Sequence, residues 1–145
     1  KGGEPSAPLS PLSVGFVSAR LEGFPPGFYL LDRETLSFGL AAEGDLLKEM
    51  TRACLDQGWL ANAAVHFVFL STPADLDSLF GPRGYRYAML EAGRMGQRLY
   101  LMATALGWGC CGIGAFYDEE AARILGLQPR ARLLYLVAVG PVRNG

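Results

Sequence analysis

The chain has 145 residues, of which 50% are hydrophobic and 19% are charged, and its formal net charge at pH 7 is -1. Its basic residues are scattered along the chain, which excludes the clustered positive surface typical of nucleic-acid-binding proteins. No apolar run reaches the roughly 20 residues that a membrane-spanning helix requires. Length and composition therefore predict one domain, residues 1–145, with a substantial core and no nucleic-acid or membrane partner.

The cysteine and histidine content gives no indication of a metal site or a disulfide framework. Of the three cysteines, Cys110 and Cys111 are adjacent, and neighbours in sequence rarely bridge. The only histidine, His66, lies in the apolar run AVHFVFLST and is expected to be a hydrogen-bonded core residue. Reduced thiols, including Cys54, and no bound metal are typical of a cytoplasmic protein, which is the predicted location.

Hydrophobic periodicity predicts strands and helices in the order β-β-α-β-α-α-α-β. This order lacks a strict βαβ rhythm, so it favours an α+β sandwich over a doubly wound sheet. The predicted elements are strands over 12–21 and 28–32, a helix beginning at Asp45, a strand over 64–72, a short helix in PADLDSLFG, helices over 85–107 and 118–127, and a strand over 132–140.

The helix predicted over 85–107 is the longest element and has apolar residues on more than one side. A helix that is apolar nearly all round is buried on both sides, here by the core and by a second subunit. Each interior glycine costs about 1 kcal/mol against alanine, so a close approach by a neighbour is expected at Gly93 and Gly96. The predicted main stripe is Met89, Ala92, Met95, Leu99, Met102 and Leu106, and Leu90, Leu101 and Ala105 lie off it.

The segment ALGWGCCGIGAF, residues 105–116, contains four glycines and is predicted to be a loop. Three interpretations are open: a simple connector, a phosphate cradle, and a bare backbone surface against which a planar ligand lies. A phosphate cradle is disfavoured because the segment follows a helix and contains no Lys, Ser or Thr. Its two thiols have no local cation or base, so ordinary packing is favoured over redox chemistry.

Two longer stretches resemble a known family. The run RGYRYAMLEAGRMGQRLYLMATALGWGCCGIGAFYDEEAARILGL, followed by LLYLVAVG, resembles the carboxyl-terminal half of the nitroreductase-like flavoproteins. The closest group is the SagB-type peptide thiazoline/oxazoline dehydrogenases. Upstream, EPSAPLSPLSVGFVSARLEGFPPGFYLLD resembles the P-S-A-G stretch, strand and turn of the same group, so the likeness covers most of residues 5–140 in order.

The resemblance implies a nitroreductase-like α+β sandwich, in which a central, mainly antiparallel sheet is flanked by helices, and a homodimer that holds FMN at its interface. It also implies that the backbone of Ile113, Gly114 and Ala115 lies against the flavin ring, where amide groups favour the reduced form. The same resemblance assigns two further contacts, a segment that lines the flavin and a cation for the FMN phosphate. These are Pro5, Ser6 and Ala7 for the segment, and Arg143 for the cation.

The chain also departs from the family pattern. The amino-terminal Arg-x-Ser-x-Arg element that grips the flavin phosphate is absent, and each lost charge-assisted hydrogen bond is worth about 1.5–3 kcal/mol. Leu79 and Phe80 stand where azoline oxidases often have Lys-Tyr, and neither side chain can move a proton. Pro8 stands in place of a glycine, and Gln97-Arg98 in place of Gln-Asn.

The sequence therefore leads to an FMN-dependent oxidoreductase that transfers hydride through flavin N5 and uses no side chain as acid or base. The expected hydride donor is a nicotinamide or another organic molecule, and the expected substrate is a small molecule or a peptide, without further identity. One alternative is a flavin-free family member that acts as a scaffold or partner-binding domain. Another is a fragment of a longer enzyme, because the chain opens on KGGEPSAPLSPL without Met and an upstream part would supply the phosphate grip.

Overall fold

The structure, a computed structural model, describes residues 10–142. Within this range the chain forms six strands and four α-helices, together with 3-10 turns at Gly58–Asn62 and Gly81–Arg83. The elements in chain order are β1 (Ser13–Ser18), β2 (Gly27–Asp32), β3 (Ser37–Glu43), α1 (Leu47–Ala53), β4 (Val65–Ser71), α2 (Pro73–Phe80), α3 (Gly84–Ala105), β5 (Trp108–Ile113), α4 (Asp118–Ile124) and β6 (Arg132–Pro141).

The six strands form one sheet in the order β3-β2-β1-β4-β6-β5, and every neighbouring pair is antiparallel. The predicted α+β class with an antiparallel sheet and flanking helices is confirmed. Two strands were not predicted: β3, in the stretch RETLSFGLA, and β5, in the glycine-rich segment. Both are edge strands, so each is paired on one side only.

Each face of the sheet carries its own buried cluster. On one face, α1 and α4 cover a cluster that includes Val17, Phe28 and Leu136. On the other face, α2 and α3 cover a cluster that includes Phe16 and Phe69. Because side chains alternate along a strand, Phe16 and Val17 supply opposite faces, and the sheet is covered by helices on both sides.

The face that α3 turns to the sheet differs from the prediction. Its buried residues are small and recur every four positions over most of the helix, which lets the helix backbone approach the strands closely. Met89 and Met102, predicted to lie on the buried stripe, are exposed, and Leu106 is 67% exposed. The buried residues are Gly84, Ala88, Ala92, Gly96 and Ala103.

The helix ends follow local chemistry in most cases. Pro73 occupies the first turn of α2, where its missing N–H costs nothing, and α4 opens with three acidic residues. Gly107, with φ of +70°, ends the turn after α3. Asp45, predicted to cap α1, does not, since the cap position is Leu46. None of the helices within residues 10–142 has the length and apolarity to cross a bilayer.

Candidate functional site

The glycine-rich segment is mostly a strand rather than the predicted loop. Residues Trp108–Ile113 form β5 and pair with β6 in regular antiparallel register, from Trp108 opposite Pro141 to Ile113 opposite Leu136. The strand was not predicted because its glycines remove the alternation of apolar and polar side chains by which a strand is recognised in a sequence. The true loop between β5 and α4 is short, residues 114–117.

The glycine at position 112 makes room for a side chain of the protein itself. A Cβ added at Gly112 would overlap the hydroxyl of Tyr135, and one added at Gly96 would lie 2.7 Å from the Tyr135 Cε1. The Tyr135 ring therefore lies between α3 and β5. The Gly112 N–H is also occupied, because it donates to the Tyr100 hydroxyl at 2.7 Å. The interpretation of this part of the segment as a ligand surface is wrong.

Two residues further on, the backbone is open. A Cβ added at Gly114 would meet nothing within 4 Å, and both Gly114 and Ala115 are exposed. In the described part of the chain, neither amide donates to a backbone carbonyl. The loop is fixed at both ends, by the buried side chain of Ile113 and by the Tyr117 N–H, which donates to the Ala53 carbonyl at 2.8 Å.

A cavity of about 360 Å³ opens beside this loop. The loop and the first residue of α4 form one wall, and the amino-terminal part of α3 forms another through Tyr85 and Met89. Both of these α3 side chains are exposed, so one side of the cavity is bounded by a surface that no residue between 10 and 142 covers. The remaining lining residues are Leu55, Phe116, Tyr117, Asp118, Leu133 and Leu134.

A larger groove of about 810 Å³ continues from the cavity and shares five of its lining residues, among them Tyr85, Tyr117 and Asp118. Its charged residues are Asp118 and Glu119 on one side and Arg132 on the other. The Arg132 Nη1 donates to the carbonyls of Pro129 and Ala131, at 2.9 Å each. The net charge of the groove is therefore negative.

The described residues fit one part of a flavin and not another. A planar ring can lie against the bare backbone of Gly114 and Ala115, and the cavity of about 360 Å³ is within the size range of ligand sites. A phosphate dianion is not matched, because the acidic pair outnumbers the single arginine. Four residues assigned to the cofactor by resemblance, Pro5, Ser6, Ala7 and Arg143, lie outside the described residues.

Other residues singled out from the sequence have structural roles. His66 is completely buried, and its Nε2 lies 2.9 Å from the Leu60 carbonyl, which confirms a core histidine. Glu91 forms a bidentate ion pair with Arg94 at 2.6 and 2.8 Å, and the Arg94 guanidinium lowers the pKa of Glu91. Among residues 10–142, no three His, Cys, Asp or Glu side chains are grouped as metal ligands would be.

Two of the three thiols, Cys54 and Cys110, are poor nucleophiles by position. Burial raises the pKa of Cys54 to about 11. Burial and the neighbouring Cys111 raise the pKa of Cys110. These directions oppose thiolate formation near neutral pH, which supports the packing interpretation.

Comparison with known proteins connects this geometry to a family. The sequence profile described as the nitroreductase family matches residues 24–141. A Methanocaldococcus jannaschii protein named as a candidate nitroreductase is 33% identical over 125 residues, which are 86% of this chain and 63% of that protein. The crystal structure of a candidate nitroreductase from Anabaena variabilis has a TM-score of 0.86 and 26% identity, covering 91% of this chain and 27% of its own.

Two further solved structures share the fold at lower identity. The Escherichia coli microcin synthetase McbBCD complex, with truncated pro-MccB17 bound, has a TM-score of 0.82 and 21% identity over 98% of this chain and 58% of its own. The NADPH:FMN oxidoreductase of Vibrio harveyi, complexed with NAD⁺, has a TM-score of 0.63 and 19% identity. The match covers 97% of this chain and 55% of the Vibrio harveyi chain. The chain thus spans less than two thirds of the length of each of these four proteins.

Proposed function

The chain belongs to the nitroreductase family, and from that premise we propose that it is part of an FMN-dependent oxidoreductase that transfers hydride through flavin N5. The observation that carries the proposal is the bare backbone of Gly114 and Ala115 beside an open cavity. The name of the Vibrio harveyi neighbour, an NADPH:FMN oxidoreductase, supports FMN as the flavin and a nicotinamide as the donor.

In this proposal, the protein positions the flavin ring and stabilises its reduced form. Bound FMN would supply the two-electron carrier. The amides of Gly114 and Ala115 would donate to the ring edge that becomes electron-rich on reduction, at no reorganisation cost because the loop is already anchored at Ile113 and Tyr117. No side chain of the cavity is needed as a general acid or base.

The phosphate end of the cofactor requires residues beyond the described cavity. The acidic pair Asp118 and Glu119 would repel a phosphate, so the FMN tail would point away from the larger groove. Within the proposal, Arg143 and the segment Pro5 to Ala7 remain the chain's own contacts to the cofactor. An Arg-x-Ser-x-Arg element for the phosphate is not among the 145 residues.

A homodimer belongs to the same proposal. The exposed side of α3 is apolar towards both ends of the helix, and two residues near its start, Tyr85 and Met89, also line the cavity. A second copy packed on this side would cover the apolar surface and close the cavity to water. Met, Tyr and Arg are the residue types enriched in such interfaces, and α3 has all three and no lysine.

The larger groove is the proposed place for the second substrate, a small molecule or a peptide. The microcin synthetase neighbour has a truncated pro-peptide bound, which supports the peptide option and the SagB-type assignment. The exposed Leu79 at the end of α2 and its neighbour Phe80 oppose azoline oxidation as the reaction, since neither residue can exchange a proton.

The alternative of a flavin-free scaffold or partner-binding domain rests on the negative charge of the groove, which disfavours a phosphorylated ligand. One titration separates the two. The apoprotein is titrated with FMN and followed by flavin absorbance and fluorescence, with Gly114→Ala as a matched variant that fills the open position. Binding by the wild-type chain that is weakened in the variant supports the oxidoreductase. A colourless protein that leaves FMN free in solution, while still dimeric, supports the scaffold.

A further inference from the structure

Gly112, the residue before the buried Ile113, is contacted by two tyrosines. The Tyr100 hydroxyl accepts the Gly112 N–H at 2.7 Å, and the Tyr135 ring occupies the space that a side chain at position 112 would need. Gly112 lies at the outer edge of the sheet, where β5 has no further strand to pair with its free backbone groups. The Tyr100 hydroxyl thus accepts a hydrogen bond from one edge amide that no neighbouring strand pairs with.

This contact joins two parts of the candidate site. Tyr100 belongs to α3, the same helix whose Tyr85 and Met89 form one wall of the cavity. Gly112 lies two residues before the open backbone of Gly114, which belongs to the other wall. The hydrogen bond between Tyr100 and Gly112 therefore joins the helix that carries one wall to the strand that leads into the other.

We propose that Tyr100 is a positioning residue, whose hydroxyl holds β5 against α3 so that the backbone after Ile113 is set at the correct distance from the flavin ring. The flavin part of this inference rests on the proposed function. Tyr100 is 40% exposed and touches the loop through Gly112 alone among the described hydrogen bonds, so it acts through the strand rather than on the ring itself.

The substitution Tyr100→Phe removes the acceptor and keeps the ring. Hydrogen exchange of the amides at 112–115 should become faster by about tenfold in the apoprotein, because a net hydrogen bond of this kind is worth up to roughly that factor. The FMN dissociation constant should rise about threefold to tenfold. If the reduced flavin loses more affinity than the oxidised form, the midpoint potential falls by about 30 mV for each tenfold difference.

The matched control is Tyr87→Phe, an equally exposed tyrosine on the same helix for which no side-chain hydrogen bond is found in residues 10–142. Tyr87→Phe should leave the exchange rates, the dissociation constant and the potential unchanged. Melting temperatures of all three proteins identify any general loss of structure.

Each outcome decides a separate question. Faster exchange and a lower potential in Tyr100→Phe alone support the positioning role. Unchanged exchange in Tyr100→Phe, or equal changes in both variants, overturn it. Faster exchange with unchanged FMN affinity and potential overturns the flavin part. A wild-type chain that binds no FMN overturns the proposed function instead, and the exchange comparison then still decides whether Tyr100 holds the strand.

Discussion

The His66 ring donates from Nε2 to the carbonyl of Leu60 across 2.9 Å, within a wholly buried site on the α1 side of the sheet. Because a carbonyl can only accept, Nε2 carries a proton, and burial favours the neutral ring, in which Nδ1 has none. The Nδ1 atom is then an acceptor without a partner in the described part of the chain. Burial is the main cause that lowers the pKa of His66 below 6.5.

This arrangement predicts that stability falls as the solution becomes acidic. The unfolded chain binds a proton at His66 near pH 6.5, whereas the folded chain resists it. The stabilisation is therefore present above pH 6.5 and is lost below it, by at most about 1.4 kcal/mol per pH unit. Urea unfolding between pH 7.5 and 5.0 measures this slope. Since His66 is the only histidine, His66→Phe should flatten the profile, and a flat wild-type profile would contradict the prediction.

The two glycines at 112 and 114 should respond oppositely to alanine. Gly112→Ala forces the Tyr135 ring out of its place and should cost about 1–3 kcal/mol of unfolding free energy. Gly114→Ala meets open space and should change the stability of the apoprotein by less than about 0.5 kcal/mol. Chemical denaturation of both variants checks this difference. Equal destabilisation would show that the loop is packed rather than open.

Light scattering should report a dimer for the wild-type chain at micromolar concentration. Leu101→Glu places a charge on the exposed side of α3, where Leu101 is 64% exposed, and should shift the protein to monomer without unfolding it. Leu36→Glu, in an exposed turn away from α3, is the control and should remain dimeric. A wild-type monomer, or a dimer unaffected by Leu101→Glu, would exclude α3 as the interface.

Thiol labelling should separate the three cysteines. At pH 8 in native buffer, Cys54 should not react with iodoacetamide, because it is wholly buried and its pKa is about 11. The partly exposed Cys111 should be modified, and Cys110 more slowly. Peptide mass spectrometry gives the order, with the urea-unfolded protein as the reference for complete labelling. Rapid modification of Cys54 would mean that the core around α1 opens readily.

The sequence predicted the long helix, the central strands and the α+β class, because β-branched runs such as AVHFVFLST and sustained three-to-four periodicity are strong signals. The antiparallel arrangement of the sheet was implied by the family resemblance. The sequence did not predict β3, whose residues are almost all exposed at the sheet edge and show no alternation. It predicted the buried stripe of α3 in part: Ala92 is buried and Met95 and Leu99 pack against the core, as expected. The exposed residues of the predicted stripe are Met89, Met102 and Leu106, because a periodicity of large side chains does not detect a buried stripe of alanine and glycine.

The candidate site was predicted in part. Gly114 and Ala115 line a cavity, whereas Ile113 does not and its side chain is in the core. The contact of these residues with a flavin stays a prediction. The hydroxyl of Tyr100 and the ring of Tyr135 were missed. Each acts across the chain, over 12 and 23 positions from Gly112, and no local pattern signals such a contact.

Because α3 presents small residues to the sheet, its buried face should tolerate smaller side chains better than larger ones. Ala88, Ala92 and Gly96 have almost no side chain to lose, so truncation there removes little packing. Any larger replacement has to push the whole helix away from the strands, and the cavity wall that the same helix carries would move with it. Substitutions at these buried positions are therefore restricted to the smallest amino acids. At the exposed positions of α3, the tolerated side chains depend only on the surface that packs against them.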